Sequence, residues 1–278
     1  MIWLALALSA GFYWTDVGPK QALVCQVTEL ESCLANLSTQ VRRQLPQTID
    51  GLNHAMARRG AMVLPLVDTQ VSGLILISPS HIPQTILVDL SGELHSFPLV
   101  ESQKLTLWHE LGHLQAAVLV DKGLMEGLTD YQHEWVADCY LVWRSARETQ
   151  GLDLAWQQYH RRNIDVMKDV SFMSHWTVPV LSQLLSRYNL EELTRFATFD
   201  ALMRDFLPQL EQANQDTLDE FSSLIHRSFS TQASLHLPSY MYWRKPALRQ
   251  YFESTLVSLL GRDGANLWLQ EQSMLMTL

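Results

Sequence analysis

The spacing of apolar and polar positions changes character along the chain. Residues 1–14, MIWLALALSAGFYW, form an uncharged apolar segment that ends before Asp16. From 20 to 60 apolar positions recur at helical spacing, with Ile49, Leu52 and Met56 on one stripe, a break at Pro46 and a stop at Gly60. Between Ala61 and Val100 the pattern shortens to β-rich runs at 61–67, 73–78, 85–90 and 94–99, separated by Gly, Pro, Ser and Asp. Ser91–Gly92, between the last two runs, predicts a hairpin turn. From Ser102 onward the pattern is helical again. Ser102 is the expected N-cap of a helix running to Val120, where Asp121-Lys122-Gly123 stops it. Thr129 or Asp130 caps a second helix that continues to about Arg147, and further helices are expected near 152–169, 176–188, 198–208, 213–228 and 246–271. The fold class read from this order is α+β: a small, mainly antiparallel sheet followed by a mostly helical body. Residues 15–278 read as one domain, with 61–148 as its chemical core and 149–278 as the helical part.

Composition narrows the class. The 278 residues are 47% hydrophobic and 18% charged, too apolar for intrinsic disorder. A net charge of −9 without a basic cluster argues against nucleic acid as a partner. No uncharged apolar run reaches the roughly 18 residues that span a bilayer. Residues 1–14 have the length of a signal-peptide core but lack the usual leading Lys or Arg, which favours a periplasmic or secreted protein and keeps a cytoplasmic one, with a buried N-terminal strand or helix, as the alternative. An exported chain predicts a Cys25–Cys33 disulfide closing a short loop; a cytoplasmic one predicts small buried thiols. Cys139 reads as a buried thiol.

One segment carries chemistry. His109-Glu110-Leu111-Gly112-His113 places two imidazoles at i and i+4 on one helix face, the HExxH spacing that lets both reach a single metal ion. Glu110 is turned about 100° per residue from His109, beside the metal, where it can act as general base on water. Leu105, Trp108, Leu111, Leu114, Ala116 and Leu119 make the helix apolar nearly all round and so predict its burial. Buried imidazoles and a carboxylate cost free energy unless partnered, and a cation partners all three. The bland alternative is that the histidines bond to carbonyls while Glu110 pairs with a distant arginine.

Two histidines need a third ligand. The extended pattern HExxHxxGxxH is excluded, because those positions hold Ala116 and Leu119. The following helix reads His133-Glu134-Trp135-Val136-Ala137-Asp138, with Glu134 and Asp138 on one face. Glu134 is the expected third ligand, with the adjacent His133 as its competitor. Asp138 is expected to accept the free ring N–H of a ligating histidine, His109 by preference.

HELGH followed after twenty residues by EWVAD resembles the gluzincin zinc metallopeptidases. Its ExxAD form is most similar to the CAAX prenyl endopeptidase family and its heat-shock and periplasmic relatives. The resemblance implies one zinc ion held by His109, His113 and Glu134, Glu110 as catalytic base and Asp138 behind the ligands. It also implies a hairpin edge strand ahead of the active-site helix, where residues 85–99 fall. It covers only 85–143, and the transmembrane helices of the prenyl endopeptidase have no counterpart.

Peptide hydrolysis further needs a hydrogen-bond donor for the tetrahedral intermediate. His175, in Phe172-Met173-Ser174-His175-Trp176, and the run from His236 to Arg244 containing Tyr240 are the candidates. His54, His81, His95, His160 and His226 read as surface or structural. The expected activity is therefore zinc-dependent hydrolysis of a peptide or protein substrate. The alternatives are a non-catalytic zinc-stabilised module that binds a peptide or protein, and a zinc hydrolase of non-peptide amides.

Overall fold

A four-stranded sheet in the order β1-β2-β4-β3 lies between two layers of helices in the computed structural model, which describes residues 11–229 and 243–275. Its strands are β1 (Phe12–Val17), β2 (Lys20–Gln26), β3 (Ala61–Pro65) and β4 (Val71–Ile77). The β1/β2 and β3/β4 pairs are antiparallel, and β2/β4 is parallel. Three short helices, α1 (Leu30–Leu34), α2 (Thr39–Arg42) and α3 (Ile49–Met56), join β2 to β3. The α+β class is observed.

The helix expected from residue 20 is instead β2. Its run Ala22–Cys25 is buried on both faces. Leu23 and Cys25 join Leu74, Leu76, Leu34 and Leu52 on one side, while Ala22 and Val24 join Ile75, Ile77 and Leu114 on the other. A strand covered on both faces shows no polar alternation, which is why its period was hidden. Cys25 and Cys33 form a disulfide with Cα atoms 5.9 Å apart, tying α1 to the sheet. The apolar segment 1–14 runs into this sheet, because Phe12–Trp14 pair with Leu23–Cys25; residues 1–10 lie outside the described residues.

β5 (Thr85–Leu90) and β6 (Glu93–Pro98) form the expected hairpin. Ser91 and Gly92 both have positive φ (58° and 87°), as a tight two-residue turn requires. Among the described residues this hairpin pairs only with itself, as a separate two-stranded sheet. The strand at the sheet edge beside the helix that carries His109 and His113 is β3, so 61–65 rather than 85–99 holds the edge position expected there.

The helical body consists of α4 (Ser102–Asp121), α5 (Asp130–Thr149), α6 (Asp153–Lys168), α7 (Val178–Arg187), α8 (Leu190–Arg195), α9 (Phe199–Phe206), α10 (Gln215–Phe229) and α11 (Lys245–Glu271). Ser102 does not cap α4. Glu101 occupies the N-cap in left-handed conformation, and the Ser102 hydroxyl accepts from Gln84 Nε2 at 2.8 Å. At the other end Leu124 N–H bonds to Leu119 O and Gly123 N–H to Val120 O, with Gly123 at φ 66°, so the predicted glycine stop is realised. Thr129 and Gln132 form a capping box on α5. Among the described residues no helix is long and apolar enough to cross a membrane.

Candidate metal centre

The site lies where α4 crosses α5. At this crossing a Cβ on Gly112 would stand 2.5 Å from Ala137 Cα, so only glycine lets the backbones approach this closely. That approach brings one face of α4, with His109 and His113, against the face of α5 that carries Glu134 and Asp138. His109 Nε2 lies 3.1 Å from His113 Nε2 and 3.4 Å from Glu134 Oε2, and His113 Nε2 lies 3.6 Å from Glu134 Oε1. One ligand atom from each of the three residues falls within 4.8 Å of the other two. Tetrahedral zinc with bonds of about 2.1 Å sets its donors roughly 3.4 Å apart, so the spacing and the N/N/O donor set both fit that ion. His133 is outside the group, and so is Cys139, a buried thiol whose pKa burial pushes well above its ordinary value.

Asp138 holds this arrangement from behind. It is fully buried, and its two oxygens accept from His109 Nδ1 (2.8 Å), Gln158 Nε2 (2.9 Å), Arg162 Nε (2.7 Å) and Nη2 (3.1 Å), and Thr177 Oγ1 (2.6 Å). A carboxylate only accepts, so the proton on His109 Nδ1 is fixed toward Asp138 and Nε2 is the nitrogen turned to the centre. Burial works against the Asp138 charge, but Arg162 and His109 outweigh it and hold the carboxyl far below its usual range. For Glu134, too, burial is outweighed by the neighbouring His109, Arg162 and His113, and the pKa falls to about 2. His113 is lowered to about 3 by burial and by the proximity of His109, which leaves it neutral with an electron pair to offer.

Glu110 points to a different neighbour. Burial raises its pKa above the ordinary carboxylate value, and the backbone N–H of Val63 in β3 is close enough to oppose that rise. The bonds Ser78 N–H to Gly60 O and Leu66 N–H to Ser72 O turn the even-numbered residues of β3 toward β4. Ala61, Val63 and Pro65 therefore direct their backbone groups outward, and the missing N–H of Pro65 falls on the unpaired side. The expected general base thus stands between the Glu134 carboxylate and the edge of β3, which is unpaired among the described residues.

Of the two expected donor residues, His175 is at the site. It ends the 3-10 turn Val170–His175 between α6 and α7, with Nε2 3.6 Å from Glu134 Oε1 and Nδ1 2.9 Å from Ser174 Oγ. Tyr240 and His236 lie outside the described residues. Sequence reasoning missed Arg162, Gln158 and Thr177. Gln158 and Arg162 stand four apart on one face of α6 and both meet Asp138. That i, i+4 polar pair among the apolar positions Leu154, Ala155, Tyr159 and Val166 was the available signal.

No family model, no curated protein and no solved structure matches the chain.

Proposed function

We propose that this protein is a zinc-dependent peptidase of gluzincin type, with His109, His113 and Glu134 holding the ion. The observation that carries the reading is the position of Glu110. It is a part-buried carboxyl next to an N/N/O donor set, is not itself in that set, and lies beside the outward amide of the edge strand β3. A purely structural zinc site fills its four positions with protein ligands and has no use for such a carboxyl.

His109, His113 and Glu134 would hold the zinc ion, which would supply Lewis acidity and a water nucleophile near neutral pH. The chain's own residues do the rest. Glu110 takes the proton of the attacking water and returns it to the leaving amine, a task favoured by its raised pKa. His175 Nε2 donates to the carbonyl oxygen as negative charge develops there. Asp138 keeps His109 in one tautomer and orientation. The outward carbonyls of Ala61, Val63 and Pro65 align an extended peptide as an added strand. The Cys25–Cys33 disulfide supports an oxidising compartment, the periplasm or the exterior.

The test pairs metal analysis with digestion of a peptide library by wild type and Glu110→Gln. One zinc per chain in both proteins, with cleavage by the wild type alone, is the expected result. Zinc in both without cleavage by either points to a peptide-binding module, and cleavage confined to non-peptide amides points to another hydrolase.

A further inference from the structure

Arg162 is 7% exposed and reaches the metal-binding residues from α6. A guanidinium that served only to stitch α5 to α6 would need Asp138 alone, and it has both Asp138 oxygens, through Nε at 2.7 Å and Nη2 at 3.1 Å. Nη2 goes further. It donates to Glu134 Oε2 at 3.3 Å and lies 3.3 and 3.5 Å from the two ring nitrogens of His109. Glu134 is thereby divided: Oε2 faces the arginine and His109 Nε2 (3.4 Å), and Oε1 faces His113 and His175, each 3.6 Å away. No other hydrogen-bonded side chain in the set touches one expected ligand while anchoring the carboxylate that orients a second.

We propose that Arg162 is the positioning residue of the metal site, fixing the rotamer of Glu134 through Oε2 and the ring of His109 through Asp138. This rests on the reading that His109, His113 and Glu134 bind zinc; it does not depend on peptidase activity. The planar fork is essential, because one head group must serve two carboxylates on successive turns of α5. Lysine keeps the charge but presents a point donor and cannot meet Asp138 twice and Glu134 as well.

The test measures zinc affinity by chelator competition, and visible absorption of the cobalt-loaded protein, for wild type, Arg162→Lys and Arg162→Gln. Thermal melts of the metal-free forms run alongside. Outer partners of metal ligands are typically worth about 10–100-fold in affinity, and a loss of that size is expected in both variants with an altered cobalt spectrum. A merely structural Arg162 would lower the melting temperature and leave both metal readouts unchanged, and that result in a folded Arg162→Lys protein overturns the proposal. Failure of wild type to bind zinc overturns the metal reading itself. If neither variant folds, zinc is titrated into wild-type chain labelled at arginine Cζ. One guanidinium resonance is expected to shift, and a spectrum in which none moves overturns the proposal.

Discussion

Gly112 of α4 and Ala137 of α5 meet backbone to backbone, with the Ala137 Cα, C and O atoms all within 2.9 Å of where a Gly112 Cβ would be. Both residues sit inside the segments that supply the candidate ligands, so the contact sets the distance between His109/His113 and Glu134/Asp138. Alanine in a helix interior is ordinarily better than glycine by about 1 kcal/mol. Here the added methyl meets backbone that cannot rotate away, and overpacking of this kind costs roughly 1–3 kcal/mol or more. Gly112→Ala is therefore expected to lower stability by about 2 kcal/mol, a fall of some 4–8 °C in Tm for a chain of this size, and to weaken zinc binding. A melt of Gly112→Ala that matches or exceeds wild type rejects the claim that this crossing is set by glycine.

How much of this was legible beforehand divides along physical lines. His109, Glu110, His113, Glu134 and Asp138 were readable because a regular helix converts sequence spacing into direction, so i, i+4 pairs declare a shared face. The hairpin was readable from Ser91–Gly92 for the same local reason. What was hidden depends on elements distant in sequence. β2 resembled a helix because its two faces enter different cores. β3 took the edge position expected of residues 85–99 because strand order is a tertiary choice. Arg162 gave only one weak local sign, its i, i+4 spacing from Gln158 among apolar positions, and is one of two adjacent arginines on an amphipathic helix. Its role appears only when α6 is laid against Asp138.

Glu134 and Glu110 are expected to separate binding from chemistry. Glu134 lies between His109, His113 and Arg162, whereas Glu110 lies outside the donor set against β3. Glu134→Ala removes one of the three proposed ligands and should reduce zinc per chain to near zero after dialysis. Glu110→Gln keeps a side chain of the same size and shape, and should retain zinc while losing at least about 100-fold in hydrolysis, the scale of a general base. Atomic absorption on both variants, with a fluorogenic peptide assay on Glu110→Gln, measures these outcomes; wild-type turnover by Glu110→Gln removes Glu110 from the mechanism.

The disulfide is expected to act on folding without altering the site. Cys25 and Cys33 are fully buried and eight positions apart, joining β2 to α1 on the face of the sheet opposite α4. Closing a loop of this length restricts the unfolded chain by about 2–3 kcal/mol. Replacing both cysteines by serine should lower the free energy of unfolding by about that amount, and by more if the buried hydroxyls find no partner. Zinc affinity should stay within about twofold of wild type, since the ligands sit in the other core. Urea titration and chelator competition on the double variant check the two halves. A large drop in zinc affinity would show that the two layers are coupled through the sheet.

Acid sensitivity away from the candidate metal centre is expected at His160. Its Nδ1 is 2.9 Å from the Thr255 hydroxyl, its ring packs against Phe97, Trp156 and Tyr159, and burial lowers its pKa to about 4. In the unfolded chain the imidazole takes up its proton near pH 6.5. Between those two values the unfolded state binds more protons than the folded one, so stability rises with pH across the window and is lost as pH falls from about 6.5 toward 4. Above pH 6.5 both states are neutral at this position and it adds no slope. A His160→Gln variant keeps a group that can bond Thr255 but does not titrate. Its urea midpoint should therefore fall less steeply than that of wild type between pH 7 and pH 5, both measured with chelator present so that metal release adds nothing. Parallel pH profiles for the two proteins would mean that the ring accepts its proton in the folded state as readily as in the unfolded one, and that the enclosure by α6, β6 and α11 does not exclude the charge.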